Sequence, residues 1–262
     1  MFSKTIITEY KINGTKKYKG SIMKVSRYKR DDEVTYSLGA TVTMEFLIKS
    51  PDDLVHVFFH PEFRSGAKAE IEAKCREAKI DITTDVKPFN ILSQKENCFV
   101  IGVIRKHDMH ISKGNHVVLV NPSNCGNLGT IIRSCAGFGV NDIAIIPPAA
   151  DHFDPKTVRA SMGALAEVRI EVFDSIDMYT EKFPENNLYP FMLDGSTLLQ
   201  ETEIKAPFSL IMGNEATGLP AEFGSVGQPV RIEHTNAIDS LNLPIATSIG
   251  LYEATKSRYG RK

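Results

Sequence analysis

The stretch HVVLVNPSNCGNLGTIIRSCAGFG, at His116–Gly139, decides the fold class of the chain. A short continuous apolar run, typical of a strand buried on both faces of a parallel sheet, leads through a loop into a helical pattern. Similar runs recur later, and helices are expected at 125–138, 155–165, 175–182 and 243–257; the runs are Asp142–Ile146, Phe208–Met212 and Val230–Ile232. The second half of the chain is therefore predicted to be an α/β domain built on a parallel sheet.

The first half of the chain has its own alternation of helix and strand. Helical apolar spacing and strand-forming runs follow one another at Ser37–Ile48, Leu54–Phe59, Ala67–Ala78 and Cys98–Ile104. The polar stretch His107–Asn115 carries a Lys-Gly turn signal and separates the two halves. We therefore predict a smaller N-terminal α/β domain at residues 1–107 and a second domain at residues 115–262.

Composition places the chain among globular proteins. Of its 262 residues, 42% are hydrophobic and 24% are charged, which excludes a mainly disordered chain. No apolar run approaches the roughly 18 residues of a membrane-spanning helix, and the N-terminus lacks the apolar core of a signal peptide. The four cysteines form no CxxC pair, so reduced thiols and a cytoplasmic location are expected.

Positive charge is concentrated at the N-terminus, although the net charge of the chain is only −1. Residues 1–30 contain nine Lys or Arg residues against one acid, Glu9, with Tyr10, Tyr18 and Tyr28 among them. Such a segment is able to hold phosphates and stack on bases of a nucleic acid. A solvated arm with no ligand fits the same composition, so the charge pattern leaves both interpretations open.

The loop and helix at Asn121–Gly139 contain the first group of candidate functional residues. On a helix, Gly126, Gly129, Thr130, Arg133 and Gly137 form a stripe opposite the apolar side chains. Each interior glycine costs about 1 kcal/mol relative to alanine, so three on one face suggest that something approaches it closely. Arg133 would then present its guanidinium to a phosphate or carboxylate. Close helix packing, with Arg133 in a surface ion pair, explains the stripe equally well.

Two more loops follow probable strands, at the edge where open α/β sheets bind ligands. Gly213–Pro220, GNEATGLP, places Glu215 in a turn flanked by glycines, which by itself is a weak signal. Ile232–Asn242, IEHTNAIDSLN, runs into a predicted helix, and Ser240 or Asn242 would suit its N-cap. Capping explains those two residues, and ligand binding at the start of the helix is the alternative. His234 stands alone and is interpreted as incidental.

The known nucleotide-binding and hydrolase signatures are missing from these loops. The sequence has neither the G-x-G-x-x-G order of a dinucleotide fold nor the P-loop pattern, and it has no G-x-S-x-G elbow. No His, Cys and carboxylate residues have metal-ligand spacing, so no metal is expected. A nucleotide-dependent oxidoreductase is therefore a remote alternative.

Taken together, the three loops resemble the three motifs of the SpoU or TrmH family of RNA ribose 2′-O-methyltransferases, within the SPOUT superfamily. The matching stretches are NPSNCGNLGTIIRSCAGFG, IMGNEATGL and IxxxxxxxSLNxxIATxxxLYE, with RASMGA at 159–164 between the first two. They occur in order between about residue 116 and residue 257. The first 105 residues or so resemble, in pattern only, the ribosomal-protein-like RNA-binding domain that many members acting on ribosomal RNA carry.

The resemblance implies a fold, a cofactor and a set of site residues. It implies a trefoil-knotted methyltransferase domain, a homodimer formed through that domain, and S-adenosyl-L-methionine held by the backbone near Gly213, Ile232 and Leu241. The active-site residues it implies are Asn127, Arg133, Glu215, Ser240 and Asn242. Arg133 would stabilise the attacking ribose oxygen or hold a phosphate, because a guanidinium gives up its proton only at high cost. Asn127 and Glu215 would orient it.

The resemblance also implies RNA methylation, with ribosomal RNA favoured as the substrate and rRNA processing as the role. A tRNA 2′-O-methyltransferase and a non-catalytic RNA-binding protein that retains the fold are the alternatives. The third motif departs from the family pattern at Glu233 and Asn236, where the family usually has proline and often glycine, and at Pro244. These differences concern the pocket expected for the adenine of the cofactor.

Overall fold

The computed structural model describes residues 9–12, 15–18, 25–93, 97–195 and 197–259. The chain divides into two compact units, residues 1–105 and 106–262. The strands are β1 Glu9–Ile12, β2 Thr15–Tyr18, β3 Val34–Leu38, β4 Leu54–Phe59, β5 Asp81–Thr84, β6 Val100–Arg105, β7 His116–Val120, β8 Asp142–Ile146, β9 Arg169–Val172, β10 Asn187–Pro190, β11 Thr197–Leu198, β12 Phe208–Met212 and β13 Val230–Arg231. The α-helices are α1 Ala40–Lys49, α2 Ala67–Ala78, α3 Lys87–Leu92, α4 Cys125–Gly137, α5 Pro155–Ala160, α6 Ile176–Lys182 and α7 Leu243–Thr255.

The first unit is built on a four-stranded mixed sheet in the order β3-β6-β4-β5, with α1, α2 and α3 between its strands. Only the β4–β5 pair is parallel. The predicted helix at Ser37–Ile48 begins too early, because Ser37 and Leu38 end strand β3. Gly39 separates strand from helix with a φ of 126°, a conformation that favours glycine, and the apolar spacing alone could not reveal that break.

The basic segment at residues 1–30 is only partly described by the structure. Its residues 1–8, 13–14 and 19–24 lie outside the described residues, whereas β1 and β2 pair as an antiparallel hairpin. Val25 and Tyr28 pack against an apolar cluster of the first unit that includes Tyr36, Phe58 and Phe89. Tyr28 is therefore part of the packed unit, and the stretch available as a basic arm ends before Val25.

The second unit contains a five-stranded sheet in the order β10-β12-β7-β8-β9, and all its strand pairs are parallel. Every residue of β8 and β12 is buried, which confirms the predicted parallel α/β sheet with strands covered on both faces. Strands β9, β10 and β11 escaped prediction because β9 and β10 lie at the sheet edges and keep polar residues, and β11 has two residues. No helix among the described residues is long and apolar enough to cross a membrane.

Gly129 serves the packing of the second unit, not the exposed stripe expected from the sequence. Gly129 is buried, and a Cβ built on it would lie 2.5 Å from Ala160 Cβ and 2.6 Å from the Thr157 carbonyl oxygen. Helix α5 therefore approaches α4 at this glycine. Gly126 and Gly137 remain exposed on α4 together with Thr130 and Arg133, so the stripe is narrower than predicted.

Candidate functional site

The loop after β7 is shaped by the N-terminus of α4. Asn124 is the N-cap residue, and its Oδ1 accepts hydrogen bonds from the backbone N–H groups of Gly126, at 2.8 Å, and Asn127, at 3.0 Å. These bonds satisfy two of the donors that a helix start leaves without intrahelical partners. The side chain of Asn127 is left free to bind outside the helix.

Glu215 binds this loop from 92 residues further along the chain. Its Oε2 accepts from the backbone N–H of Ser123 at 3.0 Å and from Ser123 Oγ at 2.8 Å. Its Oε1 accepts from the backbone N–H of Asn124 at 3.0 Å and from Asn127 Nδ2 at 3.2 Å. The first and second sequence motifs are thus joined through one carboxylate and four neutral donors.

The protonation state of Glu215 follows from these contacts. Partial burial by itself would raise the pKa of the carboxyl group, but the hydrogen bonds from Ser123 and Asn127 outweigh it and hold the pKa below its ordinary value. Glu215 is therefore an anion at neutral pH. Its position beside the N-terminus of α4 adds a favourable interaction with the helix dipole.

The turn that carries Glu215 requires glycine at both ends. The backbone N–H of Asn214 donates to the Gly218 carbonyl at 3.1 Å, and Gly218 has a φ of 68°. A Cβ on Gly213 would overlap the Gly218 backbone, so no larger residue fits there. Asn214 Nδ2 donates to the Asn121 carbonyl at 2.8 Å, which fastens the turn to the first loop a second time.

A cavity of about 390 Å³ lies beside this turn. Segments from four parts of the second unit line it: residues 191–194, 212–219, 230–232 with His234, and Ser240 with Leu241, Leu243 and Ala246. Five of the residues expected from the sequence therefore meet there, since Gly213 and Glu215 share the cavity with Ile232, Ser240 and Leu241. Its volume falls within the roughly 300–1,000 Å³ of pockets that hold small ligands and cofactors.

The walls of the cavity fit the chemistry of S-adenosyl-L-methionine. Met212, Leu241 and Leu243 supply apolar surface for a purine ring. The backbone of residues 213–218 lines the cavity as well, and Gly213 and Gly218 have no side chain that would keep a ligand away from it. Asp194 and Glu215 are acidic residues of the lining, and negative charge near the cavity suits a ligand with a sulfonium and an ammonium group.

The third loop does not use its polar side chains for capping. Asn242 occupies the N-cap position of α7 and its carbonyl accepts from Ile245 and Ala246, but its side chain makes no capping hydrogen bond. Ser240 is exposed and lines the cavity. The capping explanation is wrong for both side chains, because that of Asn242 makes no capping hydrogen bond and Ser240 lies two residues before the N-cap position.

Arg133 lies apart from the carboxylate that was expected to orient it. It is exposed on α4, six residues after Asn127, or about 9 Å along the helix axis. Within the described part of the chain its side chain has no hydrogen bond or ion pair, and Glu215 binds Asn127 and the first loop instead. The expectation that Glu215 orients Arg133 is not met within one chain, and the guanidinium remains available to a ligand.

Sequence reasoning missed several residues of this region. Ser123, Asn124 and Asn214 hold the two loops together, and their types are common enough in turns that only the cap pattern at Asn124 gave a signal. His234 was interpreted as incidental but lines the cavity. Glu233 is turned elsewhere and accepts a hydrogen bond from Gln200 Nε2 at 3.0 Å.

Comparison with known proteins finds a family and a relative that are similar to this chain. A model of the SpoU rRNA Methylase family matches residues 114–252. The 23S rRNA (guanosine(2553)-2′-O)-methyltransferase of Bacillus subtilis is 23% identical over 222 residues, covering 83% of this chain and 87% of that protein.

Two solved structures extend the comparison. The AdoMet-bound rRNA methyltransferase from Sinorhizobium meliloti superposes with a TM-score of 0.71 at 25% identity, covering 86% of this chain and 88% of that one. A structure concerned with 2-OH methylation of C/U34 on tRNA has a TM-score of 0.53 at 27% identity, covering 57% of this chain and 99% of that one.

Proposed function

The chain belongs to the SpoU rRNA Methylase family, and on this basis we propose that it methylates ribosomal RNA. The protein is an RNA ribose 2′-O-methyltransferase that uses S-adenosyl-L-methionine. One observation supports placing the methyltransferase activity in the second unit, namely that the three loops converge there. Glu215 binds the first loop, and Ile232, Ser240 and Leu241 line the same cavity as Glu215.

Ribosomal RNA is favoured over tRNA by the extent of the similarities. The structure concerned with tRNA is matched over 99% of its length by 57% of this chain, so it has no counterpart for the remainder. The relative named for 23S rRNA aligns with 83% of the chain, which includes much of the first unit. We propose that the first unit is the ribosomal-protein-like RNA-binding domain and that the lysines of residues 1–24 add phosphate contacts.

The cofactor supplies an electrophilic methyl group on its sulfonium sulfur. Gly213, Ile232 and Leu241 are proposed to hold it through their backbone groups, because all three line the cavity. Ser240 lines the same cavity, and Asn242 is the N-cap residue of α7. Neither side chain has a hydrogen bond to a described residue, so both are free to fix the nucleotide or the methionine part of the cofactor.

Arg133 is proposed to act on the RNA and not as a base. Its guanidinium stays charged, so it is suited to stabilise the ribose 2′-oxygen as the proton leaves, or to hold the neighbouring phosphate so that the oxygen faces the methyl group. Glu215 holds the start of α4 through its hydrogen bond from Asn127, and Arg133 lies further along the same helix. Glu215 is thus a positioning residue for that helix.

The protein is proposed to act as a homodimer through its second unit. Ile245 and Tyr252 lie seven residues apart on one face of α7, and each is 53% exposed. Large apolar side chains exposed along one helix face suit a contact with a second copy. The trefoil knot and the cytoplasmic location are proposed with the family's fold. The cavity supports the knot, because residues 191–194, 212–219 and 230–232 line it together with Ser240 and Leu241 from further along the chain.

The experiment that tests the function uses S-adenosyl-L-methionine with a labelled methyl group. The protein is incubated with ribosomal RNA, tRNA or neither, and the digested RNA is analysed for 2′-O-methyl nucleosides. Label in a 2′-O-methyl nucleoside of ribosomal RNA supports the proposal. Label in tRNA alone would replace the proposed substrate. If neither RNA is labelled but a gel-shift measurement shows that the protein binds them, it is a non-catalytic RNA-binding protein.

A further inference from the structure

The side chain of His234 has a fixed arrangement in the wall of the cavity. Its Nδ1 lies 3.0 Å from the Ile232 carbonyl oxygen. Because a carbonyl oxygen only accepts hydrogen bonds, Nδ1 must carry the proton of this bond. In the neutral ring, Nε2 then keeps its lone pair and is a hydrogen-bond acceptor.

Nothing in the described part of the protein uses that acceptor. The bond from Nδ1 to Ile232 is the hydrogen bond of the ring, and Nε2 has none to a described residue. The ring is half-buried and lines the cavity beside Ile232, whereas the preceding residue, Glu233, is bound to Gln200. The histidine is therefore oriented by its own backbone, with one polar atom left for a ligand.

We propose that His234 Nε2 accepts a hydrogen bond from S-adenosyl-L-methionine and thereby contributes to cofactor affinity. The inference rests on the proposed function, because it takes the cavity to be the cofactor site. The cofactor has three kinds of N–H or O–H donor: the 6-amino group of adenine, the ribose hydroxyls and the α-ammonium group. A neutral imidazole nitrogen suits each of them. His234 is thus a binding residue that sequence reasoning dismissed.

The test measures binding, not turnover, with S-adenosylhomocysteine as the stable ligand that retains all three kinds of donor. Affinities of the full chain are measured by calorimetry for this ligand and for analogues that lack the 6-amino group, a ribose hydroxyl or the α-amino group. The proteins compared are wild type, His234→Phe, which keeps a flat ring without nitrogen, and His234→Gln, which restores an acceptor. Glu233→Gln is the matched control, because Glu233 does not line the cavity.

We expect that removing the hydrogen-bond donor from the ligand lowers the affinity of wild type but not that of His234→Phe. Wild type should bind one analogue about 3- to 10-fold more weakly than the parent ligand through loss of this hydrogen bond, whereas His234→Phe should bind the two alike. His234→Gln should recover part of the difference, and Glu233→Gln should behave as wild type. The analogue that shows this coupling identifies the donor.

Two other outcomes are possible, and they distinguish failure of this inference from failure of the proposed function. If the affinity of His234→Phe falls by the same factor as that of wild type on every analogue, no donor of the ligand is coupled to His234. The inference is then overturned, and any weaker binding by this variant comes from a disturbed loop. If wild type fails to bind S-adenosylhomocysteine at all, the assignment of the cavity to the cofactor is overturned, and with it the proposed function.

Discussion

Both edges of the parallel sheet in the second unit carry polar residues, but the two edges differ in how many of these side chains have hydrogen-bond partners. At the amino edge, His116, Asp142 and Arg169 occupy neighbouring positions on three strands and bind one another or nearby residues. At the carboxyl edge, Glu215 is fully bound, but Asn242 has no side-chain partner among the described residues, and neither has Arg133 on α4, the helix that starts at this edge. Polar residues whose hydrogen bonds are complete stabilise a fold, and those left open are available for ligands.

Asp142 is the centre of one amino-edge group. It accepts from Arg169 Nε and Nη2, each at 2.6 Å, and from the backbone N–H of Ser112 at 3.3 Å. Burial would raise the pKa of its carboxyl group, but the Arg169 and Ser112 contacts outweigh it and lower the pKa. The chain entering β7 is thereby fastened to the sheet.

His116 belongs to a second group at the same edge, in which His116, Tyr179 and Ser209 are buried. Its Nε2 donates to the Ser112 carbonyl at 2.7 Å, so its Nδ1 accepts from Tyr179 Oη, also at 2.7 Å. Ser209 Oγ lies 2.6 Å from the same Tyr179 oxygen and accepts from Asn186 Nδ2 at 2.9 Å. Asn141 Oδ1 is an exception at this edge, being buried without a hydrogen bond in the described residues.

The largest effect is expected in the rate of methyl transfer, on substitution of Arg133. Arg133→Ala should lower the rate of methyl transfer by about 10²- to 10³-fold, the typical cost of losing one preorganised donor at a reacting oxygen. Its melting temperature and its affinity for S-adenosylhomocysteine should match wild type, because Arg133 has no partner in the described structure. Lys156→Ala, which removes an exposed cation on α5, is the control. Normal turnover by the Arg133 variant would remove this residue from the mechanism.

The next effect should be seen in stability and not in catalysis. Asp142→Ala removes the acceptor of Arg169 and Ser112, and we expect a loss of about 1.5–3 kcal/mol in the free energy of unfolding. Half-exposed Arg169 can be rehydrated, which keeps the loss below that of a fully buried pair. Denaturant unfolding measures it, and methyl transfer at a temperature where the variant is folded should be retained. A folded variant without activity would contradict the division between the two edges.

Glu215 at the carboxyl edge should affect stability in a way that depends on pH. Glu215→Gln should lower the free energy of unfolding by about 1 kcal/mol at pH 7, since bonds to a charged acceptor are lost in a partly solvated site. The folded pKa is below the unfolded one, so the carboxylate stabilises the fold above the unfolded pKa and loses that contribution as the pH falls through the folded pKa. Thermal unfolding of both proteins from pH 7 to pH 3 should therefore converge. A difference that persists in acid would mean that packing, not charge, is responsible.

The smallest effect concerns His116. Burial is the main cause that lowers the pKa of its imidazole, so the folded protein keeps it neutral at pH values where the unfolded chain binds a proton. Its contribution to stability is present above about pH 6.5 and declines as the pH falls through the folded pKa. His116→Gln should therefore flatten the fall of stability as the pH drops below about 6.5. Since burial also lowers the pKa of His56, the measured quantity is the difference between wild type and variant.

Local patterns were sufficient for the buried strands of the second unit and for the three loops. Continuous apolar runs identified β7, β8 and β12 because strands covered on both faces have little polar sequence. The same patterns gave the start of helix α4 and the position of Glu215 at the end of β12. They missed the edge strands β9 and β10, whose sequences are half polar because one side of each is uncovered.

By itself, the sequence determined which residue types follow which strand, because helix and strand periodicity depend on near neighbours. Only the tertiary structure decided their partners: Glu215 binds Ser123 and Asn127, Gly129 admits α5, and His234 reaches the cavity while Glu233 does not. These contacts join residues tens of positions apart, or depend on which way one side chain turns. Neither is fixed by local spacing, because both follow from how the strands and helices pack.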